Sequence, residues 1–513
     1  VEPIPVKPEK VGGGKSARKN NMKLLKWIGL AGIVGMSAFT CARASAPPQQ
    51  PNFIIFLADD LGYGDLGSYG HPFNSTPQLD RFAAEGVRLT DCHSGGTVCS
   101  PSRAAILTGR NPYRSGFSYI LGGKTFLKND ELTLAELLKQ QGYQTGFFGK
   151  WHLSKLEDAT QPNPGAQGFD YWLATSQNTF EGPRNPLHFV RNGKKTGVLD
   201  GWYCDIIVKE SLEWLSGLDT NRPFFMVVST QEPHTPLAPP ESLAKTFLDP
   251  KYIPLIKGLN YGGVDRDGKF NLTNAAQYFG TVKQLDNAFG TFIHGLDRSG
   301  SKDNTLVFFT SDNGPESPVN FEESRGEWAD PIRDNCYGTP GPFKGMKRFP
   351  YEGGHRVPGL VRWPKVIPAG IVSDQLVNGT DLLPIFCGLA GVEVPPDRKI
   401  DGAPVFDALL GKPVARKEPV LWVFPAHGDS YERMPHLAMR QGEHVLVGWF
   451  PQKKAEEKIQ DWMKASVPVK FQLFDIGKDP GETNDLTQAL PAVTKELTGA
   501  MIRLWRDLRQ SDF

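Results

Sequence analysis

Four apolar runs along the chain end in the same way. NFIIFLA, from Asn52, stops at Asp59-Asp60; YQTGFFG, from Tyr143, stops at Lys150-Trp151-His152; PFFMVVST, from Pro223, leads to Glu232-Pro233-His234; NTLVFFTS, from Asn304, stops at Asp312-Asn313-Gly314. Each has the length and continuous apolarity of a strand buried on both faces. Between them, helical spacing of apolar positions predicts helices over Thr133–Gln141, Asp205–Leu215 and Asn274–Leu296. Strands alternating with helices predict an α/β fold, a large mostly parallel sheet covered by helices on both faces. Ligands of such sheets gather at the carboxyl ends of strands, so the four polar clusters are expected to converge on one edge. After about residue 415 the pattern changes: PVLWVF, HVLVGWF and FQLFDI follow one another without long helices, and a helical tail runs from Pro491 to Gln510. This predicts a smaller C-terminal α+β subdomain with an antiparallel sheet. The expected organisation is an N-terminal extension over 1–46, a main domain over 47–415 and a C-terminal subdomain over 416–513.

Composition changes this picture only at the N-terminus. A chain of 513 residues with 39% hydrophobic and 22% charged content is globular material and excludes a disordered or coiled-coil protein. Met22 is followed by Lys23, Lys26, an apolar run from Trp27 to Phe39 and the small-residue stretch Ala42-Arg43-Ala44-Ser45-Ala46. That is the pattern of a secretory signal peptide starting at Met22 and cut after Ala44 or Ala46. Its apolar run is short for a spanning helix, so the expectation is export, to a periplasm or outside the cell, with no stable membrane insertion after cleavage.

Removing residues 1–44 takes eight Lys or Arg and two Asp or Glu from totals of 57 and 56, leaving 49 against 54, a formal −5. Such a balance argues against a nucleic-acid binder or general polyanion trap, and an anionic substrate must be recruited by local charge. Outside the leader and Cys99, the cysteines Cys92, Cys204, Cys336 and Cys387 are spaced neither as a zinc site nor as a disulfide framework, and their pairing stays open.

The strand-end clusters carry the candidate chemistry. Asp59, Asp60, Asp312 and Asn313 offer oxygen donors only, the set preferred by a hard cation such as Ca²⁺, or Mg²⁺ in its place. One such pair alone would read as turn or cap residues; two pairs, each ending an apolar strand, point to a metal. His152 and His234 each sit just past a strand, with Lys150 and Glu232 close in sequence. The segment FKGMKRFPYEGGHRVP, Phe343 to Pro358, brings Lys344, Lys347 and Arg348 ahead of a glycine turn. In TVCSPSRAAILTGR, Thr97 to Arg110, Arg103 follows Cys99 by four residues, so a helix beginning near Ser102 would bring the two together. Helix N-termini offer N–H groups and a positive dipole to an anion.

CSPSRAAILTGR closely resembles the Cys-x-Pro-Ser-Arg signature of type I sulfatases of the alkaline phosphatase superfamily. The likeness extends through PNFIIFLADDLGYGDLG, GKWHL, EPHTP, TSDNG, YEGGHRVP and LFDIGKDPGETNDL, in the expected order across most of the chain. It implies that Cys99 is converted to formylglycine by a formylglycine-generating enzyme. Asp59, Asp60, Asp312, Asn313 and the modified Cys99 would bind one Ca²⁺. Arg103 would stabilise the formylglycine, and Lys150 and Lys347 would hold the sulfate oxygens, Lys347 rather than Lys344 because it stands five residues before the Glu of Glu-Gly-Gly. His152 would assist the formylglycine hydroxyl and His234 would face the leaving oxygen. A further polar position falls among Ser176, Gln177 and Asn178. One hydroxyl of the hydrated aldehyde would attack sulfur; the other, on losing its proton to His152, would expel sulfate by C–O cleavage and restore the aldehyde.

The implied activity is hydrolysis of sulfate monoesters, with an aryl sulfate or, given export, a sulfated carbohydrate as substrate. A phosphomonoesterase or phosphodiesterase of the same superfamily is expected to use a two-zinc site and a Ser or Thr nucleophile, which this donor set does not resemble. A non-catalytic sulfated-glycan-binding protein would be missing site positions, and none is missing. The segments Asn178–Asp200, Gly258–Asn271, Glu316–Pro342 and His427–His436 are expected to select the sugar, with Trp328, Arg333, His427 and Arg433 as candidate contacts. Asn74, Asn271 and Asn378 lie in Asn-x-Thr sequons.

Overall fold

The apolar run at Asn52 becomes the strand around which the fold is built. A computed structural model describes residues 50–121, 125–260, 270–317, 337–424 and 434–511, so the leader pattern lies outside the described residues. The strands are β1 (Asn52–Ala58), β2 (Val87–Leu89), β3 (Cys92–His93), β4 (Gln144–Lys150), β5 (Tyr171–Thr175), β6 (Val190–Arg191), β7 (Lys194–Lys195) and β8 (Phe224–Ser229). They continue with β9 (Thr305–Ser311), β10 (Gly359–Arg362), β11 (Ile371–Ser373), β12 (Val377–Asn378), β13 (Val420–Val423), β14 (Leu437–Gln441), β15 (His444–Trp449) and β16 (Lys470–Asp475).

Ten strands form one sheet in the order β11-β2-β10-β9-β1-β8-β4-β5-β6-β7. Its centre, from β9 to β5, is parallel throughout, and antiparallel strands enter only toward the edges. Register carries the functional consequence: Leu57 lies opposite Ser229 and Thr310, and Gly149 opposite Ser229. The four predicted strands therefore end level with one another, and the residues just after them share one edge.

Alternation along β1 fills both faces. Phe53, Ile55 and Leu57 join the core that includes the helices Cys99–Thr108 and Leu382–Ala390, while Ile54, Phe56 and Ala58 join the core built on the long helix Leu272–Arg298. Phe56 meets Phe289 of that helix edge-on at 5.0 Å, a geometry that adds about 0.5–1.5 kcal/mol beyond the area buried. The predicted helices are found with small boundary changes, at Leu134–Gln140, Tyr203–Ser216 and Leu272–Arg298. The first starts one residue late because Thr133 is its N-cap, in a capping box with Glu136. Among the described residues, no helix is long and apolar enough to cross a membrane.

The C-terminal strands β13–β16 form an antiparallel sheet. The helix Pro491–Leu508 covers one face with Leu497, Met501 and Trp505. Strand β14, LAMRQ, has no sustained alternation of its own and was not expected from the sequence. The opposite face packs Trp422, Ala438, Val447 and Phe474 against Tyr63, Phe343 and Phe349.

A buried polar cluster ties this sheet to the segment before Cys99. The Trp422 indole donates to the Ser94 carbonyl at 2.8 Å and stacks on His355 at 3.9 Å. Arg440 lies 3.3 Å from Asp91 and 3.4 Å from Glu352, and Arg356 holds the same two carboxylates at 3.1 and 2.8 Å. Burial favours the neutral acids, but the guanidinium and imidazole charges prevail and hold Asp91 and Glu352 below the usual carboxylate range, Glu352 at about 2.

Candidate active site

Asp59 and Asp60 are the first residues past β1, and Asp60 bends away with a positive φ of 64°. Asp312 and Asn313 follow β9, and the Asp60 N–H donates to Asp312 Oδ1 at 3.2 Å. Asp59 receives the Lys150 ammonium at 2.5 Å on Oδ2, and Asp60 receives that of Lys347 at 2.8 Å. The carboxylates of Asp59, Asp60 and Asp312 and the Cys99 sulfur all offer ligand atoms within 4.8 Å of one another.

Cys99 opens a helix, Cys99–Thr108, that begins three residues earlier than the sequence suggested. Pro101 lies in its first turn, where the missing N–H has no intrahelical partner to lose. With Cys99 at the first helical position, Arg103 stands one turn on, on the same face. Cys99 Sγ lies 3.4 Å from Asp59 Oδ1. Arg103 directs Nε and Nη2 onto Asp312 Oδ2 at 2.9 and 2.7 Å, and Nη1 onto the Lys150 carbonyl and Ser229 Oγ at 2.9 and 2.5 Å.

His152, at φ 56°, is buried, and its Nδ1 has no hydrogen-bond partner among the described residues. Burial first, then the charges of Lys150 and Arg103, hold it well below the usual imidazole range. His234 donates its Nδ1–H to the Thr235 carbonyl at 2.5 Å, which leaves Nε2 facing Asp60 at 3.6 Å. Burial and then Lys347 depress its pKa as well. A positive φ recurs at Arg348, 78°, so Asp60, His152 and Arg348 are each held at the site in backbone conformations that cost about 1–3 kcal/mol.

The electrostatics fit a cation. Burial works to raise Asp59, yet Lys150 and then His234, Arg103 and Lys347 hold it well below the carboxylate range. Burial and then the Asp59 charge push Asp312 up to about 7, a repulsion that a divalent cation between them would relieve. Asn313 Nδ2 donates to Asp60 Oδ1 at 2.7 Å, while its buried Oδ1 has no partner among the described residues. Three carboxylates and an orphaned amide oxygen are the donors a hard cation prefers. Burial pushes the Cys99 thiol far up despite Lys150 and Lys347, so the unmodified side chain is a protonated, weak nucleophile.

All ten residues singled out at strand ends and in the two loops thus lie in one connected cluster. Of the three positions left open, Asn178 reaches it, donating to Asp59 Oδ2 at 2.8 Å. Ser176 instead binds Glu157 at 2.7 Å, and Gln177 is exposed. Lys344 turns away to the Glu482 carbonyl. Sequence reasoning missed Ser229, whose signal was present, since it ends the same strand run that leads to His234. It also missed Glu316, which pairs with Arg348 and lies 3.4 Å from Lys347 and has no strand or motif to mark it.

Cys92, Cys204 and Cys387 are buried free thiols; Cys336 lies outside the described residues, as do Trp328, Arg333, His427 and Arg433. In the finished fold Asn74 and Asn378 are buried, Asn378 as the cap of a turn, whereas Asn271 is exposed.

Comparison with known proteins gives the family. The model of the Sulfatase family matches residues 51–392, and that of the N-sulphoglucosamine sulphohydrolase C-terminal region matches 343–507. Arylsulfatase A of Bos taurus is 32% identical over 499 residues, covering 91% of this chain and 89% of its own. N-acetylgalactosamine-6-sulfatase of Homo sapiens is 31% identical over 495 residues, covering 87% and 83%. The crystal structure of Ps i-CgsB in complex with k-i-k-neocarrahexaose superposes with a TM-score of 0.71 at 25% identity, over 91% of this chain and 94% of that one. A catalytic fold shared over nearly its whole length with enzymes of one reaction places the chain in the sulfatase family: it is a type I sulfatase of the alkaline phosphatase superfamily, a sulfuric ester hydrolase.

Proposed function

We propose that the protein is an exported sulfatase that removes sulfate from carbohydrates, using a formylglycine made from Cys99 and one divalent cation, Ca²⁺ or in its place Mg²⁺. The observation that carries this reading is the convergence of Cys99, three carboxylates and the cations of Arg103, Lys150 and Lys347 at the ends of parallel strands. The carbohydrate assignment draws on the relatives named for N-acetylgalactosamine 6-sulfate and on the structural relative solved with neocarrahexaose. Export rests on the Met22–Ala46 pattern.

Asp59, Asp60, Asp312, Asn313 and the residue-99 oxygen would hold the cation, and its chemistry there would be charge stabilisation at that oxygen. The chain's own groups do the rest. Lys150 and Lys347 exchange their carboxylate partners for sulfate oxygens and stabilise charge developing in a buried site, where such stabilisation is large. Arg103 fixes Asp312 and the helix that carries residue 99. His152 takes the proton whose loss releases sulfate, and His234 hands a proton to the leaving sugar oxygen. Burial of the cluster keeps bulk water from competing.

The test is the mass of the peptide spanning Cys99, from protein co-expressed with a formylglycine-generating enzyme, alongside 4-nitrophenyl sulfate hydrolysis with and without chelator. A loss of about 18 Da that tracks activity, with chelator abolishing turnover and Ca²⁺ or Mg²⁺ restoring it, is the expected result. Full activity with unmodified Cys99, or activity indifferent to exhaustive chelation, would overturn the reading.

A further inference from the structure

A groove of about 590 Å³ opens beside the sulfate site, lined by Leu121, Lys155, Glu157, Asp158, Ser176 and Gln177. That volume falls within the roughly 300–1,000 Å³ of small-ligand sites. Three of its lining residues lead directly to the site described above. The Leu121 N–H donates to Ser100 Oγ, next to Cys99, at 2.9 Å. Lys155 follows His152 by three residues, and Gln177 precedes Asn178, whose amide reaches Asp59. The groove therefore begins where the sulfate pocket ends, at the helix carrying Cys99, the loop after β4 and the loop after β5.

Its walls are fixed to each other. Ser176 Oγ donates to Glu157 Oε2 at 2.7 Å and accepts from the Leu156 N–H at 2.9 Å, so one hydroxyl pins the two loops. Asp158 is locked into its own turn by Thr160 and Gln161. The charge of this lining is opposite to that of the sulfate pocket, with two carboxylates, Glu157 and Asp158, against one ammonium, Lys155. Carboxylate and amide side chains bind sugar hydroxyls well and anions poorly.

Resting on the sulfatase reading, we propose that this groove binds the sugar next to the sulfated residue and selects an uncharged one, so that the substrate is an oligosaccharide carrying a single sulfate at the cleavage point beside a neutral neighbour. A uronate or a second sulfate at that position would lie against Glu157 and Asp158, a like-charge penalty of about tenfold at partly screened distances.

The experiment uses two synthetic disaccharides that share the same 6-sulfated hexosamine and differ in the neighbour, a neutral hexose or a uronic acid, with the 6-sulfated monosaccharide and 4-nitrophenyl sulfate assayed in parallel. The wild-type enzyme is expected to show kcat/KM about tenfold higher for the neutral disaccharide, and Glu157→Gln with Asp158→Asn to narrow that gap to about twofold. In Gln177→Ala, at an exposed position outside any fold-bearing contact, the ratio of disaccharide to monosaccharide kcat/KM is expected to fall about tenfold, through KM. Equal rates on both disaccharides, preference for the uronate, or ratios unchanged in every variant would overturn the groove assignment while 4-nitrophenyl sulfate turnover still stood. Loss of that turnover in the wild-type enzyme would overturn the sulfatase reading, and the groove with it.

Discussion

Arg103 is where the site's charges are balanced. Its fork binds Asp312, the Lys150 carbonyl and Ser229 directly, and a lysine offers no such fork. Arg103→Ala leaves Asp312 buried beside Asp59, and removing one partner of a buried pair costs about 3–5 kcal/mol. Denaturant unfolding of the metal-depleted variant is expected to show that loss, and Arg103→Lys to recover only part of it.

Under the proposed mechanism, Cys99→Ser would keep an oxygen for the cation but lack the second hydroxyl needed for release, so kcat is expected to fall by at least about 10³-fold with a sulfated peptide retained; sustained multiple turnover by the serine variant would count against the mechanism. His234→Ala is expected to lose about 10²- to 10⁴-fold on sugar sulfates, whose alkoxide needs a proton, and far less on 4-nitrophenyl sulfate. Equal losses on the two substrates would remove His234 from that role. Much of this constellation was legible in the chain because each member ends an apolar strand or stands in a dense motif. Asn178 was legible only as one of three candidates beside Ser176 and Gln177, and Glu316 was not legible as a site residue, since each acts from an irregular loop and only the tertiary fold shows which carboxylate or ammonium it meets.

At the scale of elements, Gly149 is the tightest point of the sheet next to the site. It has φ 112°, and a Cβ there would meet the Ser229 carbonyl oxygen at 1.9 Å. Gly149→Ala must push β4 from β8 and carry Lys150 away from Asp59, with an expected cost of at least about 3 kcal/mol and near-complete loss of activity. Stability and activity should fall together, unlike the loss at His234, which leaves the fold intact.

The connection between β1 and β2 shows a separable pH effect. His71 Nδ1 accepts from the Phe73 and Asn74 N–H groups at 3.3 and 2.8 Å, and burial depresses its pKa to about 3. Its folded pKa lies below its unfolded value of about 6.5, so its contribution is whole above pH 6.5 and is lost as pH falls toward 3, at about 1.4 kcal/mol per pH unit. Measured against His71→Gln, which keeps an acceptor and cannot ionise, wild-type stability is expected to decline with that slope; parallel curves would show the ring already charged. The three helices between the central strands, the C-terminal helix and the long central strands were foreseeable from periodicity, whereas the helix Leu382–Ala390 was not. The short strands β2, β6, β7 and β14 were not, because pairing with neighbours rather than their own pattern makes them strands.

For the whole molecule, the C-terminal sheet is part of the support of the active region. Trp422 and Arg440 close the cluster of Asp91, Glu352 and His355 that sits under the chain leading into Cys99. A chain ending at residue 415 would leave Asp91 and Glu352 to Arg356 and His93, without Arg440, and bare the apolar face of Phe343 and Phe349. It is expected to be insoluble or inactive, whereas a soluble, active 47–415 fragment would show the main sheet to be self-sufficient.

The burial of Cys99 also sets an order of events. Cys99, Pro101, Ser102 and Arg103, the residues a modifying enzyme would have to read, are all buried in the finished fold, and Arg103 is bound on three sides. The proposed conversion to formylglycine therefore has one window, after this segment leaves the ribosome and before β9, which leads into Asp312, and the loop bearing Lys347 close over it. Folding ends that window, so a fast-folding chain competes with its own maturation, and the active fraction of any preparation records which of the two processes was quicker.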